Sequence, residues 1–283
     1  MISVDEAIAR IVALLEPVDS ETVSIDRAFG RVLVEDALAR TTQPPAPVSA
    51  MDGYAVRCID TVTPPATLRV VGSSPAGHPF RGAITEGETV RIFTGGVVPD
   101  GADGIVIQED ATADSAGVTV NVAAQPSRYI RAAGLDFIQD DVLVGAGKRL
   151  TARDVSLLAA GDLTQVEVRR RPRIAIAATG DELSRPGETR SAGGIVASSG
   201  YALHPMIEAW GGEPFDLGIF PDDIDAIATI AEKAAEADLI VTLGGASVGD
   251  HDLIQQALVR KVFALDFWKI AMRPRQAADL WPP

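Results

Sequence analysis

The chain holds a single cysteine, Cys58, among 283 residues, so it cannot close an internal disulfide. Its opening residues, Met1-Ile2-Ser3-Val4-Asp5-Glu6, lack the basic n-region and long apolar core of a secretory signal. No run approaches the ~18 consecutive apolar residues of a membrane span. Together these absences lead to the expectation of a cytoplasmic protein with no membrane partner. Basic residues are also short: 25 Lys plus Arg stand against 39 Asp plus Glu, a formal net charge of -14. Such a surface repels nucleic acid and anionic lipid, which argues against either as the main partner. There is no paired Cys-x-x-Cys, no Walker-type glycine loop with Lys and no Ser/His/Asp nucleophile set, so hydrolase and ATPase readings have little to stand on.

What is present suffices for roughly two domains of ordinary size, and 47% hydrophobic residues supply their cores. Ser3-x-x-Glu6 ahead of Ala7, Ile8, Ile11, Leu14 and Leu15 is a capping box followed by apolar residues at helical spacing, with Pro17 stopping the helix near Glu16. Thr151-x-x-Asp154 before Val155, Leu157, Leu158 and Ala159 predicts a second short helix capped by Gly161. Between them, from about Thr41 to Gln139, the texture is rich in Pro and Gly with β-prone runs at Leu68 to Val71, Thr89 to Phe93, Gly104 to Ile107 and Val118 to Val122. This predicts an antiparallel β module, residues 41–139, inserted into a small helical domain built from 1–40 and 140–170. Pro44-Pro45-Ala46-Pro47 is the expected stiff connection into it.

Past Arg169-Arg170-Arg171-Pro172-Arg173, read as a solvated strand edge and linker, strand and helix patterns alternate through residues 171–283. Strands are expected at Arg173 to Ala178, Phe215 to Phe220, Leu239 to Leu243 and Phe263 to Ile270. Helices are expected at Ser199 to Trp210, Ile224 to Ala237 and Asp252 to Val259. The βαβ rhythm predicts a parallel sheet covered on both faces, and the expected fold class is multidomain α+β and α/β. Pro205 is a local conflict, since it falls inside the first of these helices.

Ligands bind at the carboxyl ends of the strands of such sheets, and three ends stand out. The first runs into Thr179-Gly180-Asp181-Glu182-Leu183, the second into Asp222-Asp223, and the third into Leu243-Gly244-Gly245-Ala246-Ser247-Val248-Gly249-Asp250-His251-Asp252. A strand, a glycine-rich turn and a helix make an anion cradle of backbone amides at a positive helix end. Asp250 and Asp252 beside it suggest a divalent cation that bridges ligand oxygens to carboxylates. Plainer readings stay open: Asp222 or Asp223 caps the following helix, and Asp181-Glu182 is a solvated turn. His251 has no second His at ligand spacing, so it reads as a surface residue. Taken alone, Met51-Asp52-Gly53-Tyr54 is a tight turn, and Thr94-Gly95-Gly96 with Pro99-Asp100-Gly101-Ala102-Asp103 is a β-turn region.

Six motifs in order nevertheless resemble one family: Ala50-Met51-Asp52-Gly53-Tyr54-Ala55-Val56, Arg91-Ile92-Phe93-Thr94-Gly95, Gly101-Ala102-Asp103, Thr179-Gly180-Asp181-Glu182-Leu183, Gly244-Gly245-Ala246-Ser247-Val248-Gly249 and Phe267-Trp268-Lys269. They are similar to molybdopterin molybdenumtransferase, and the likeness runs from the N-terminus to about Pro274. The resemblance implies a helical domain, an inserted β-rich domain and an α/β molybdopterin-binding domain. It implies adenylylated molybdopterin and molybdate as substrates, Mg2+ as cofactor and AMP as a product. Thr179, Gly180, Gly244, Gly245, Ser247 and Gly249 would hold the pterin phosphate; Glu182, Asp222 and Asp252 would organise the cation and the diphosphate. Asp52, Thr94, Asp136 and Lys269, with Glu182, match the family's catalytic positions. A homodimer is implied as well, with the adenylyltransferase that makes the adenylylated pterin as a further partner. That adenylyltransferase is itself a weaker reading of this chain, because it lacks the inserted module of residues 41–139.

After Phe267-Trp268-Lys269 the family pattern continues into a basic Pro-Gly-Lys-Pro turn, whereas this chain reads Arg273-Pro274-Arg275-Gln276-Ala277-Ala278. Arg275 stands for the expected Gly and Gln276 for the expected Lys. One inserted C in codons for Pro-Gly-Lys-Pro-Leu yields Pro-Arg-Gln-Ala-Ala. A frameshifted or truncated C-terminus is therefore expected, and a catalytically impaired molybdopterin-binding module that lacks the molybdate site is the alternative to an active transferase.

Overall fold

The structure, a computed structural model, describes residues 2–115, 117–244, 253–260, 264, 266–267 and 270–271, and the backbone of 268–269 and 277–280. By contacts the chain divides into two compact units. One holds Val23–Phe29 and Glu35–Val166, the other Met1–Thr22, Gly30–Val34 and Glu167–Pro283. Contacts thus group the helical residues up to Val166 with the β-rich insertion and leave the N-terminal helix with the α/β part.

The first unit is built on a six-stranded sheet. Its strands are β1 (Gly53–Val56), β2 (Ala66–Ser74), β3 (Glu88–Ile92), β4 (Gly104–Ile107), β5 (Ala111–Ala113) and β6 (Val118–Val120), in the order β4-β1-β3-β2-β6-β5. Alternation along the strands buries two faces: Tyr54, Val56, Leu68, Val106, Val118 and Val120 form one core, and Ala55, Ile92 and Ile105 another. The sheet is not wholly antiparallel as expected, because β2 and β3 run parallel. Residues 75–87 carry the chain back before β3 begins, and a parallel neighbour requires such a crossover. Gly53 opens β1 where a Cβ would stand 2.0 Å from the Val106 carbonyl oxygen; glycine therefore permits the tight β1 to β4 pairing that follows Asp52. The Pro cluster is held by amides, Gly134 N donating to Pro44 O and Val98 N to Pro47 O. Of the helices, α1 spans Val4–Leu14 in the second unit, and α2 spans Ala152–Ala160 in this one. α2 carries the full capping box between Thr151 and Asp154, and Gly161 is its C-cap.

In the second unit β7 (Arg173–Thr179), β8 (Glu213–Phe220) and β9 (Leu239–Leu243) form a parallel sheet in the order β8-β7-β9. Helix α3 (Ser199–Trp210) covers one face through Ile207 against Ile174 and Ile176. Helices α4 (Ile224–Lys233) and α5 (Leu253–Val259) cover the other through Ile227, Ile230, Ile254, Ala257 and Leu258 against Ala177 and Phe220. Successive β7 residues thus feed opposite cores, as a sheet buried on both faces demands. Helix α3 continues through Pro205 and ends at Gly211, whose φ of 99° is left-handed. Helix α4 stops at Lys233, short of the expected Ala237. The arginine run is no loose linker. Arg170 grips both oxygens of Asp238 at 2.6 Å, and Arg173 pairs with Glu236 at 2.6 Å while lying 5.2 Å over the Phe215 ring. These pairs fix the start of β7 beside the turn that leads into β9.

Ser3 caps α1, accepting from Glu6 N at 3.1 Å. The helix buries Ala7 against Phe267 and Ile270, and Ala271 N donates to Ile2 O. In place of a fourth parallel strand at 263–270, the described strand is Phe267–Lys269, which pairs antiparallel with Ala277–Leu280. The Arg275 and Gln276 positions lie outside the described residues.

Candidate functional site

The carboxyl ends of β7, β8 and β9 open onto a cavity of about 800 Å³. Its apolar surface comes from Ile176, Ala178, Ile219 and Leu243, and its polar surface from Thr179, Glu182, Arg185 and Asp216, with the first turns of α3 along one side. A short parallel pair, Leu183–Ser184 with Ile195–Val196, supplies another wall.

Thr179 is 3% exposed, and its Oγ1 has no hydrogen-bond partner among the described residues. A buried hydroxyl left unpaired is costly, and one lining a cavity is placed to meet a ligand. Gly244 makes this corner possible. Its φ is 104°, and a Cβ there would lie 2.5 Å from the Thr179 carbonyl oxygen and 3.0 Å from Thr179 Oγ1, so only glycine lets the end of β9 approach so closely. Gly180 has φ 149° and donates its N–H to Phe220 O at 3.1 Å, and the Glu182 carboxylate folds back against it, since a Cβ at 180 would lie 2.6 Å from Glu182 Oε2.

The two aspartates after β8 divide their labour. Asp223 is the helix cap, accepting from Ala226 N at 2.8 Å, whereas the Asp222 amide donates to Asp181 Oδ1 at 3.1 Å. Asp181 therefore ties the loop after β7 to the loop after β8, and it is Glu182 whose carboxylate reaches the cavity. Asp222 stands on the adjoining loop, outside the cavity lining. Among the described residues no group of three or more His, Cys, Asp or Glu is gathered as a metal ion needs. Gly245, Ser247, Gly249 and Asp252 lie outside the described residues, as do Asp250 and His251. Lys269 is described by its backbone, paired with Ala277.

The remaining expected residues belong to the β-rich unit. Asp52 Oδ1 accepts from both Thr94 N and Thr94 Oγ1 at 2.8 Å, so the two motifs separated in sequence form one turn-to-turn contact. The Thr94 amide, then its hydroxyl, hold the Asp52 carboxyl below its ordinary range. Arg91 lies 5.0 Å from the centres of both the Tyr54 and Phe93 rings and donates to Gly53 O and Gln108 Oε1, which stiffens the strand leading into Thr94. Asp136 is bound by both oxygens to Arg131 Nη2, at 2.6 and 2.7 Å. Asp103, part of another quoted motif, accepts from Cys58 N at 2.6 Å. With burial of the thiol as the leading cause, this aspartate helps push the Cys58 thiol up to about 12.

Sequence reasoning passed over Arg131, Arg185, Asp216, Tyr201 and His204, although the last four line the cavity. One signal was legible: Gly218 inside the strand Glu213–Phe220, a pattern that marks a bulge or a close approach. Gly218 has φ 98°, and the β7 to β8 register shifts beside it.

Comparison with known proteins gives the same picture along the whole chain. A family described as MoeA N-terminal region (domain I and II) matches residues 2–161, and one described as probable molybdopterin binding domain matches 175–281. The molybdopterin molybdenumtransferase of Haemophilus influenzae is 33% identical over 277 residues, 97% of this chain and 68% of that protein. That of Nostoc sp. is 36% identical over 261 residues, 90% of this chain and 60% of that protein. The chain thus spans about two thirds of the length of these relatives. The crystal structure of the molybdopterin biosynthesis moeA protein from Pyrococcus horikoshii OT3 shares the fold with a TM-score of 0.88 and 28% identity, over 100% of this chain and 72% of that one. With both family regions matched in order and 97% of this chain aligned to a relative 33% identical to it, the chain belongs to the MoeA family of molybdopterin molybdenumtransferases.

Proposed function

We propose that the chain acts in molybdenum cofactor biosynthesis as a molybdopterin molybdenumtransferase, taking adenylylated molybdopterin and molybdate and releasing AMP. The observation that carries this reading is the cavity at the carboxyl ends of β7, β8 and β9, with a buried hydroxyl on Thr179 that has no partner among the described residues and a glycine-backed corner beside it. A planar heterocycle suits the apolar surface, and a phosphate suits the hydroxyl and the backbone amides of the glycine turn. In the α/β unit Thr179, Gly180 and Gly244, with Gly245, Ser247 and Gly249, hold the pterin phosphate. Asp52, Thr94 and Asp136 present an anionic, pre-paired surface on the β-rich unit, and Lys269 with Glu182 completes the proposed catalytic set.

Mg2+ fits the donor chemistry of Glu182, Asp222 and Asp252, since hard cations take carboxylate oxygens. When bound it would offset diphosphate charge as AMP leaves. Of these three, Glu182 stands in the cavity and Asp222 on the adjoining loop. The protein's own contribution is positioning: Asp181 joins two loops, Gly180 seats the Glu182 carboxylate, and Thr94 holds the Asp52 carboxylate by its amide and hydroxyl. No described helix is long and apolar enough to cross a membrane, and the proposed setting is a cytoplasmic homodimer that receives its substrate from the adenylyltransferase.

The test is incubation of the purified chain with adenylylated molybdopterin, molybdate and Mg2+. Release of AMP together with active cofactor supports the transferase. Binding of the pterin nucleotide without AMP release refutes it in favour of a binding module.

A further inference from the structure

Among the described residues lining the cavity, Arg185 is the one Lys or Arg; the carboxylates are Glu182 and Asp216. Arg185 Nη2 stands 3.2 Å from Asp216 Oδ2, and the two side chains are 48% and 54% exposed. Asp216 meets the guanidinium through Oδ2, while its Oδ1 accepts from Gly218 N at 2.9 Å. Gly218 sits at the bulge of β8, and a Cβ there would lie 3.3 Å from Arg185 Nη2; the missing side chain gives the guanidinium its room. The backbone of Arg185 is fixed, its N donating to Glu188 Oε2 at 2.7 Å and its O accepting from Glu188 N at 3.1 Å. A long side chain thus swings from an anchored root.

Three physical points bear on what this arrangement does. An exposed ion pair with one contact is weak and easily exchanged. A guanidinium binds phosphate through two parallel hydrogen bonds, more strongly than it binds a single carboxylate oxygen. A chain of net charge -14 repels an anionic ligand unless a cation stands at the site itself.

We propose that Arg185 is a ligand clamp of the cavity. It leaves Asp216 to take the phosphate oxygens of the bound nucleotide, and Asp216 is the competitor that parks the guanidinium in the unliganded chain. The proposal rests on the function given above and adds to it a residue that selects for the phosphate ester. It makes a prediction of opposite signs. Removing the clamp weakens binding, while removing its competitor strengthens it, although both changes break the same ion pair.

Isothermal titration of the full chain with AMP, and with adenosine as the phosphate-free probe, tests this. Arg185→Gln is expected to weaken AMP binding about tenfold, the order of one charge-assisted contact, and to leave adenosine unchanged. Arg185→Lys keeps the charge without the fork and falls between. Asp216→Asn is expected to tighten AMP binding roughly two- to threefold, because the competing charge is gone. Wild-type chain that binds AMP while Arg185→Gln binds it equally well overturns the clamp and leaves the proposed function standing. Asp216→Asn weakening AMP as Arg185→Gln does, or Arg185→Gln failing to fold, makes the pair a structural prop and also overturns it. Wild-type chain that binds neither probe overturns both the clamp and the function beneath it.

Discussion

Thr179→Val keeps the outline of the side chain and deletes its hydroxyl. Thr179 is 3% exposed at the end of β7, and its Oγ1 lacks a partner among the described residues. A buried hydroxyl without a hydrogen bond costs about 1–3 kcal/mol, and valine suits a strand at least as well as threonine. The variant is therefore expected to stabilise the unliganded α/β unit by about 1 kcal/mol, which raises the melting temperature of a unit of this size by about 2–4 °C. In the complex the hydroxyl bonds to the ligand, so its loss removes one hydrogen bond worth about 0.5–1.5 kcal/mol, a two- to roughly tenfold loss of affinity. Thermal unfolding followed by circular dichroism, with and without adenylylated molybdopterin, measures both effects at once. The variant should melt above wild type without the ligand and gain less from its addition. A variant that melts lower than wild type without the ligand, and binds it just as tightly, would refute the reasoning, because the hydroxyl must then be satisfied within the protein.

Other substitutions probe other links. Gly244→Ala puts a Cβ 2.5 Å from the Thr179 carbonyl oxygen at a φ of 104°, and a loss of about 1–3 kcal/mol is expected in urea unfolding; an unchanged midpoint would show that the corner is loose. Asp154 is nearly buried and gripped first by Lys148 Nζ at 2.7 Å, then by Thr151, which lowers its pKa from 3.8 to about 2. Its folded-state pKa is depressed, so the unfolded chain takes the proton at higher pH. It therefore contributes about 2 kcal/mol above pH 4, lost as the pH falls through 2. Urea unfolding of wild type and Asp154→Asn between pH 2 and 6 should show a gap that closes on the acid side; a constant gap would contradict this linkage. Asp52→Ala removes two hydrogen bonds from Thr94 at an exposed turn, so the urea unfolding midpoint should change little while AMP release falls sharply. Wild-type AMP release from this variant would take Asp52 out of the catalytic set.

Much of the site was legible because its chemistry is local. The Thr179-Gly180-Asp181-Glu182 turn follows a run of buried strand residues, and its glycine and carboxylate are neighbours in sequence as they are in space. Asp223 as a helix cap was one of two open readings, and the contact with Ala226 N decides it. What could not be read were the partners. Arg91 over Tyr54 and Arg185 against Asp216 depend on how strands pair and cross, and Arg131 for Asp136 spans five residues of irregular chain; no helix or strand spacing rule reports either. The parallel β2–β3 pair was missed for a related reason, since a strand's periodicity is the same in either direction.

Sequence by itself determined the elements and the class of chemistry. A Ser3 cap and the capping box at Thr151 set helix starts, apolar runs marked β7 and β9, and glycines marked where backbone must turn or come close. These are short-range effects, written in residues a few positions apart. Only the tertiary structure decided that the ends of three strands enclose one cavity, that the Thr179 hydroxyl is buried there without a partner among the described residues, and that a bulge at Gly218 leaves room for Arg185 to meet Asp216. Burial and ion pairing arise from packing between segments far apart in the chain, and a linear pattern carries no measure of that distance.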